Sequence, residues 1–453
     1  MESSTLEMDP LFHHLVKDAL GNAIHDVTRD FSSKAQYVTD PGVAFSRSQK
    51  LPPDVLIHYI ISLGGDRSQN ELLDFFDSSP FTPFQSAASQ RRSQLKPKAM
   101  EDTFAAFNRN IEAFFPKSSV KYRFFAVDGS TLTFKSFPQF DKEGMYYSKD
   151  KSGKGYYSMH INALYDLQRK IYTDCIIQPI HGTGEQRAFC DMVDRAKLDH
   201  DKRYVFIGDR GYASLNNAAH VMEKGQYFLF RAKDIESQGL LQSLNLPQEG
   251  SFDKVVSLAV VRTTKDIPFS AEQKKYITKN VAFDYLENKA PFAYEMRFRV
   301  VRYKLDDNSY ECVMTNLPAD EFPLSCFKAL YFDRWKIEVS FRDLKYTNGL
   351  TKVHAYKPEN VKQEVWGTLI YYNFTSILIN HIGTPKKGTK HEHRRNFGTA
   401  AHEVRKFLRT PFGTANDTLM TSISRFTFPY RKDRKYGRDF TPRRPPDCIY
   451  RSA

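Results

Sequence analysis

The spacing of apolar positions changes character along this chain, and the changes mark out its elements. Up to about residue 115 the spacing is helical. LPPDVLIHYIISL follows a Pro pair, and Ser68 to Glu71 fits a capping box opening NELLDFF. Thr82-Pro83 leads into FQSAASQRRSQL, and Pro97 opens AMEDTFAAFNRNIEAFF, so a bundle of helices is predicted. From about residue 118 the pattern becomes that of strands. VKYRFFAVDGS predicts a short strand ending at Asp128 and Gly129, and YYSMHINALYDL and KIYTDCIIQPI predict two more, joined near Gln168 to Lys170. EQRAFCDMVDRA reads as a helix, RYVFIGDRGY as a buried strand running into Asp209 and Gly211, Ser214 to Lys224 as a helix, and YFLFRAK as a strand.

That order is β-β-β-α-β-α-β, and the right-handed crossover rule brings its first and fourth strands side by side. Between about Asp234 and Pro323 come the β-like runs DKVVSLAVVRT, FAYEMRFRVVRYKL and YECVMTNL, an insertion of the kind that forms a small sheet subdomain. YFDRWKIEVSFRDLK, from Tyr331 to Lys345, then carries Leu330, Ile337, Phe341 and Leu344 at helical spacing with no Gly or Pro. VKQEVWGTLIYYNFTSILINHI is a mostly apolar helix, KKGTKHEHRRNF a basic flexible loop, and AAHEVRKFL a short last helix. Arg431, Lys432, Arg434, Lys435, Arg438, Arg443 and Arg444 make the tail basic.

Composition narrows the class. The 453 residues are 41% hydrophobic and too many for one ordinary domain. Lys and Arg number 66 against 53 acids, a formal charge of +13, which favours a polyanionic partner. Five widely spaced cysteines without a CxxC pair argue against a disulfide framework or zinc ribbon, and His391-Glu392-His393 has cationic neighbours that would repel a metal ion. MESSTLEMDP lacks the marks of a signal peptide, and the longest apolar run is interrupted by Asn373, Asn380 and His381, so a soluble intracellular protein with no membrane partner is expected. Arg91, Arg92 and Gln94, on a short helix between two others, are arranged as in a DNA recognition helix.

At roughly 100° per residue, Tyr331, Arg334, Glu338 and Lys345 fall within an arc of about 60° on the long helix. They form one polar stripe beside the apolar face, an acid flanked by two cations at the edge of a core. Asp128 and Asp209 end neighbouring strands, which lie about 4.8 Å apart. Three acids from two strands and a helix suit divalent metal ions acting on a phosphodiester, with oxygen donors matched to Mg2+ or Mn2+.

The spacing Tyr-x2-Arg-x3-Glu-x6-Lys at Tyr331, Arg334, Glu338 and Lys345, downstream of Asp128 and of Asp209 in GDRGY, resembles the DDE transposases of bacterial insertion sequences that carry the YREK signature. The resemblance covers roughly residues 118–380. It implies an α/β fold with an RNase H-like mixed-sheet catalytic core over 118–233 and 324–382, interrupted by a β-rich insertion over 234–323. A helical N-terminal DNA-binding domain would occupy 1–117 and a basic, partly helical C-terminal region 383–453. It implies catalytic, metal-holding Asp128, Asp209 and Glu338 with two ions per site, and Tyr331, Arg334 and Lys345 holding phosphates. The partners implied are double-stranded DNA, as terminal inverted repeats and target, and a second copy in a synaptic homodimer; the setting is bacterial cytoplasm, at the nucleoid when DNA-bound. Cut-and-paste transposition follows, through a hairpin in well-studied relatives. There an aromatic of the insertion stacks on a flipped base, whereas the tryptophans here, Trp335 and Trp366, lie outside it. A catalytically silent DNA-binding protein derived from a transposase and another RNase H-like nuclease are the alternative readings.

Overall fold

The computed structural model describes residues 11–47, 50–115, 120–135, 146–149, 155–179, 184–199, 201–306, 309–382, 392–414, 416 and 418–430. His391, the loop 383–390 and the tail from residue 431 lie outside these, and with them the expectations placed there.

The N-terminal region is helical, as the spacing predicts: α1 (Phe12–Thr28), α2 (Pro53–Ser62), α3 (Ser68–Phe75), α4 (Gln85–Gln94) and α5 (Pro97–Ile111). Pro97 opens α5 at its first turn. The predicted capping box does not form. Ser68 is already inside α3, and Glu71 accepts instead from the Gly64 and Asp66 amides, at 2.9 and 2.7 Å.

Then follow β1 (Tyr122–Lys135), β2 (Tyr146–Lys149), β3 (Gly155–Asp166), β4 (Ile171–Pro179), α6 (Glu185–Arg195), β5 (Arg203–Gly208), α7 (Leu215–Glu223) and β6 (Tyr227–Ala232). The remaining strands before the long helix are β7 (Phe252–Val261), β8 (Gln273–Tyr276), β9 (Tyr294–Asp306) and β10 (Ser309–Thr315). β1 pairs antiparallel with β3 and parallel with β5, β5 pairs parallel with β6, and β2 and β4 share the outer edge of β3. Lys170, at a φ of 56°, turns the chain between β3 and β4.

The strands of the insertion do not form a sheet of their own. β10 pairs antiparallel with β6, and β9, β7 and β8 follow outward, so one mixed sheet of ten strands runs through core and insertion. The reason is an edge that needs covering. β6 would otherwise present its unpaired backbone groups to water, and the alternating runs of the insertion satisfy them. The basic alternation in β9 is spent largely on internal pairs, Arg299 with Asp253 and Arg302 with Asp234 at 2.9 Å.

The two faces of the sheet separate by residue parity, as a period of two requires. Ala126, Val205, Ile207 and Leu229 belong to one buried cluster; Phe125, Val127, Tyr204, Phe206, Phe228 and Phe230 belong to the other. The second cluster is roofed by α6 and α7. The first is roofed by α8 (Phe327–Phe332), α9 (Trp335–Arg342) and the 25-residue α10 (Pro358–Ile382), with α1 to α5 packed around α10. A strand buried on both sides reads as an unbroken apolar run, which is why RYVFIG shows no alternation.

Beyond α10 come β11 (Glu392–Arg395), α11 (Phe397–Arg409), α12 (Leu419–Arg425) and β12 (Thr427–Tyr430). β11 and β12 pair antiparallel, so part of the expected basic loop is a strand, and AAHEVRKFL is not the last helix. Two buried cationic side chains tie distant parts of the chain together. Lys17 of α1 donates to the Phe407 and Thr410 carbonyls, both at 2.8 Å, closing the C-terminal end of α11; burial pushes its amine down to about 8.

The other contact corrects the recognition-helix expectation. Arg91 and Arg92 are each 6% exposed. Arg92 meets Glu364 of α10 at 2.9 Å and donates to the Asn360 carbonyl and the Gln363 side chain, while Arg91 bonds Gln94 and stacks over Phe45. The basic side of α4 therefore faces the protein. Arg92 and His354 outweigh burial and hold the Glu364 carboxyl down to about 2. Removing one partner of such a pair strands the other charge, so Arg92→Ala is expected to lower unfolding free energy by about 3–5 kcal/mol in denaturant melts. A loss below about 1 kcal/mol would place this pair among surface contacts.

Candidate active site

Asp128 does not end its strand. β1 runs on to Lys135 beside β3, but its pairing with β5 stops at Ala126 opposite Ile207. Carried two residues further, the same register sets Asp128 level with Asp209, the first residue past β5. A strand that outruns one neighbour while paired with the other can thus carry an acid at the point where the parallel ladder ends. Gly129 is likewise a mid-strand residue and not a turn.

The polar stripe lies on an interrupted helix. Between α8 and α9 the amides of Arg334, Lys336 and Ile337 bond three residues back, and a π-turn (Asp343–Thr347) follows α9. Such turns recur at functional sites, and this one carries Lys345. α9 packs on β1, and Ile337 and Phe341 of α9, with Leu344 of the π-turn, belong to the same cluster as Ala126. Parity puts Asp128 on that face.

Arg334 joins the elements. Its guanidinium lies 2.5 Å from Glu338 Oε1 and 3.4 Å from Asp128 Oδ2, and it is 5% exposed. Burial works against its charge, but Tyr331, Glu338 and Asp128 outweigh that and hold it protonated. Burial pushes the Asp128 carboxyl up to about 6 against the pull of Arg334 and the Gly129 amide, and the charges of Asp209 and Glu338 add to the rise. Asp209 accepts from the Gly211 amide at 2.8 Å.

Tyr331 is buried at 4%, its ring facing the guanidiniums of Arg334 and Arg231 at 5.6 and 5.9 Å. Lys345 donates to the Thr131 carbonyl at 2.8 Å, three residues along β1 from Asp128. The structure thus brings Asp128, Asp209, Glu338, Arg334 and Tyr331 together, with Lys345 beside them. It leaves Arg91, Arg92 and Gln94 elsewhere, in the packing of α4. Trp366 is buried against Phe104, whereas Trp335 is 39% exposed on α9.

The acids do not form a closed ligand set as they stand: among the described residues no three His, Cys, Asp or Glu side chains are grouped tightly enough to hold a metal ion. Arg334 supplies the positive charge between two of them. The donors are nonetheless carboxylate oxygens in a partly buried, over-acidic site, which is the chemistry hard divalent ions require.

Sequence reasoning missed three neighbours. Glu185, in the first turn of α6, lies 3.0 Å from His160 Nε2 of β3, and Tyr212 of the GDRGY run is 1% exposed. The available signal was the pair of glycines after the aspartates, which reads equally well as turn chemistry.

The family model for the transposase DDE domain matches residues 119–374. The chain belongs to this transposase DDE domain family. It is also 35% identical over 72 residues to the transposase InsG for insertion sequence element IS4 of Escherichia coli (strain K12), a match spanning 16% of each chain. Among solved structures, a piggyBac transposase synaptic complex with hairpin DNA is similar at a TM-score of 0.44 and 11% identity, over 92% of this chain and 85% of that one. Among the described residues no helix is long and apolar enough to cross a membrane.

Because the Asp128 carboxyl is raised, the folded protein holds a proton that the unfolded chain releases between its ordinary value and about 6. Stability therefore falls as pH rises through that window, and the penalty is fully present above it. Asp128→Asn is expected to raise the melting temperature of the metal-free protein by a few degrees at pH 7.5. The gain should shrink toward zero as the pH falls to about 4. A pH-independent difference would show that this carboxylate carries no such strain.

Proposed function

We propose that this protein is an insertion-sequence transposase that cleaves double-stranded DNA at terminal inverted repeats and joins the freed ends to target DNA. Asp128, Asp209 and Glu338 are its catalytic acids. The observation that carries the reading is the Arg334 bridge, which ties Glu338 of α9 to Asp128 of β1 beside the strand end that carries Asp209. The strand order β4-β3-β1-β5-β6, antiparallel at β3 and parallel from β1 outward, supports an RNase H-like core.

Asp128, Asp209 and Glu338 would hold Mg2+ or Mn2+. Two such ions, when bound, activate the attacking oxygen and stabilise the leaving oxygen of an in-line displacement. This chain's own groups prepare that site. Arg334 keeps the carboxylates from repelling one another before the ions arrive, and its guanidinium is then free to hold a phosphate by charge-assisted hydrogen bonds. Lys345, which donates to the Thr131 carbonyl three residues along β1 from Asp128, would hold the backbone of the same DNA end. Tyr331 orients Arg334 from beneath. DNA ends would be synapsed by two copies of the chain.

Asp128→Asn, Asp209→Asn and Glu338→Gln are each expected to reduce nicking of end-sequence DNA in Mn2+ by about three orders of magnitude while leaving DNA binding intact. Denaturing gels of end-labelled duplex resolve nicked, hairpin and joined products, and sizing with and without end DNA reports the dimer. Variants that cut as fast as the parent would remove these acids from the mechanism. Cleavage without joining to a target would favour another nuclease of this class.

A further inference from the structure

The pair of acids where the β1–β5 ladder stops is approached from both faces of the sheet. Glu338 comes from α9, on the face that carries Ala126. Glu185 comes from the opposite face, where α6 packs against Val127 and Phe206. Its path is open because two side chains are missing. A methyl group on Gly129 would lie 2.7 Å from Glu185 Oε1 and would also run into His160 Nε2. A methyl group on Gly211 would lie 3.3 Å from Glu185 Oε2 and 3.2 Å from Asp209 Oδ1, so both carboxylate oxygens border the same space. Both glycines have ordinary backbone angles, so close approach rather than a left-handed turn explains them.

An independent feature beneath the same spot points to a ligand. The Tyr212 hydroxyl is fully buried and has no hydrogen-bond partner among the described residues. Burial and the negative charges of Glu185, Asp128 and Asp209, in that order, push its pKa well above the ordinary value, so all three carboxylates lie within its field. A buried hydroxyl without a protein partner can be satisfied by a water or an ion. His160 flanks the new acid: Nε2 lies 3.0 Å from Glu185 Oε1, at ion-pair distance but outside hydrogen-bond geometry, and Nδ1 is 3.4 Å from the Thr131 hydroxyl on β1.

We infer that Glu185, oriented by His160, is a fourth carboxylate of the divalent-cation centre, closing it from the face of the sheet opposite Glu338. The inference rests on the cation-dependent reading of Asp128, Asp209 and Glu338 above. Glu185 is 43% exposed at its side chain, so its charge faces the cleft and is not consumed by the packing of α6. His160 is the positioning residue, acting through Glu185.

The test is Mn2+ binding to the full-length protein without DNA, followed by the electron paramagnetic resonance signal of free Mn2+, alongside nicking at varied Mn2+. Glu185→Gln is expected to weaken Mn2+ binding about tenfold and to raise the Mn2+ needed for half-maximal nicking by the same factor. The rate at saturating Mn2+ should fall less, and the melting temperature should hold. His160→Ala should shift the metal requirement in the same direction, and His160→Gln, which keeps a polar group beside Glu185, should restore part of it. Gly129→Ala should mimic Glu185→Gln, because the added methyl displaces the carboxylate. Unchanged Mn2+ binding in a folded Glu185→Gln protein would make Glu185 a surface partner of His160 and nothing more. If instead Asp128→Asn leaves both binding and nicking intact while Glu185→Gln weakens binding, the triad reading fails and the Glu185 site stands by itself. A parent that binds no Mn2+ sinks both.

Discussion

One buried guanidinium makes the arrangement of this site possible. Carboxylates gathered at the end of a sheet repel one another and resist losing water, and Asp128, pushed up to about 6, registers both effects. Arg334 answers them with a single delocalised charge that reaches Glu338 and Asp128 from within the helix that carries Glu338. A lysine could not span the same two acids with a planar fork. One internal charge thus holds carboxylates from two separate elements together in the protein by itself.

Everything else in the fold serves to bring the middle of β1 and the end of β5 to the α9 side of the sheet. Parallel pairing of β1 with β5 demands a long connection, and β3, β4 and α6 fill it. That connection also delivers Glu185 to the opposite face. The ten-stranded sheet extends the scaffold rather than interrupting it, because β10 completes the exposed edge of β6. On the α9 side, α10 is clamped by helices from both ends of the chain. The Arg92 pair with Glu364 and the Lys17 cap on α11 are the polar contacts that fix this roof.

Charge in the protein is divided by burial. The excess of +13 is a property of the whole sequence, yet several of its most suggestive cations are internal struts. Arg92, Arg299, Arg302 and Arg334 are all at most 5 to 6% exposed and each faces a carboxylate. A basic stripe drawn on a helix says nothing of which way the helix turns. In α4 the stripe turned inward because Glu364 waits on α10.

By itself the sequence determined the alternation of strands and helices through the core and the pairing of the first and fourth core strands, and it singled out Asp128, Asp209 and Glu338 as candidate acids. Those features are local or rest on a chirality rule, so period and turn chemistry carry them. It also holds the spacing from Tyr331 to Lys345, on which the resemblance to transposases rests without any coordinates. Only the tertiary structure decided that Asp128 lies in mid-strand, that the helix of Arg334 breaks and ends in a π-turn, and that the insertion joins the core sheet. Only there, too, did Arg91 and Arg92 become buried and Glu185 reach the acids past Gly129 and Gly211. Each of these depends on a partner far away in the chain. Burial and close approach are properties of pairs of elements, and no spacing within one element records them.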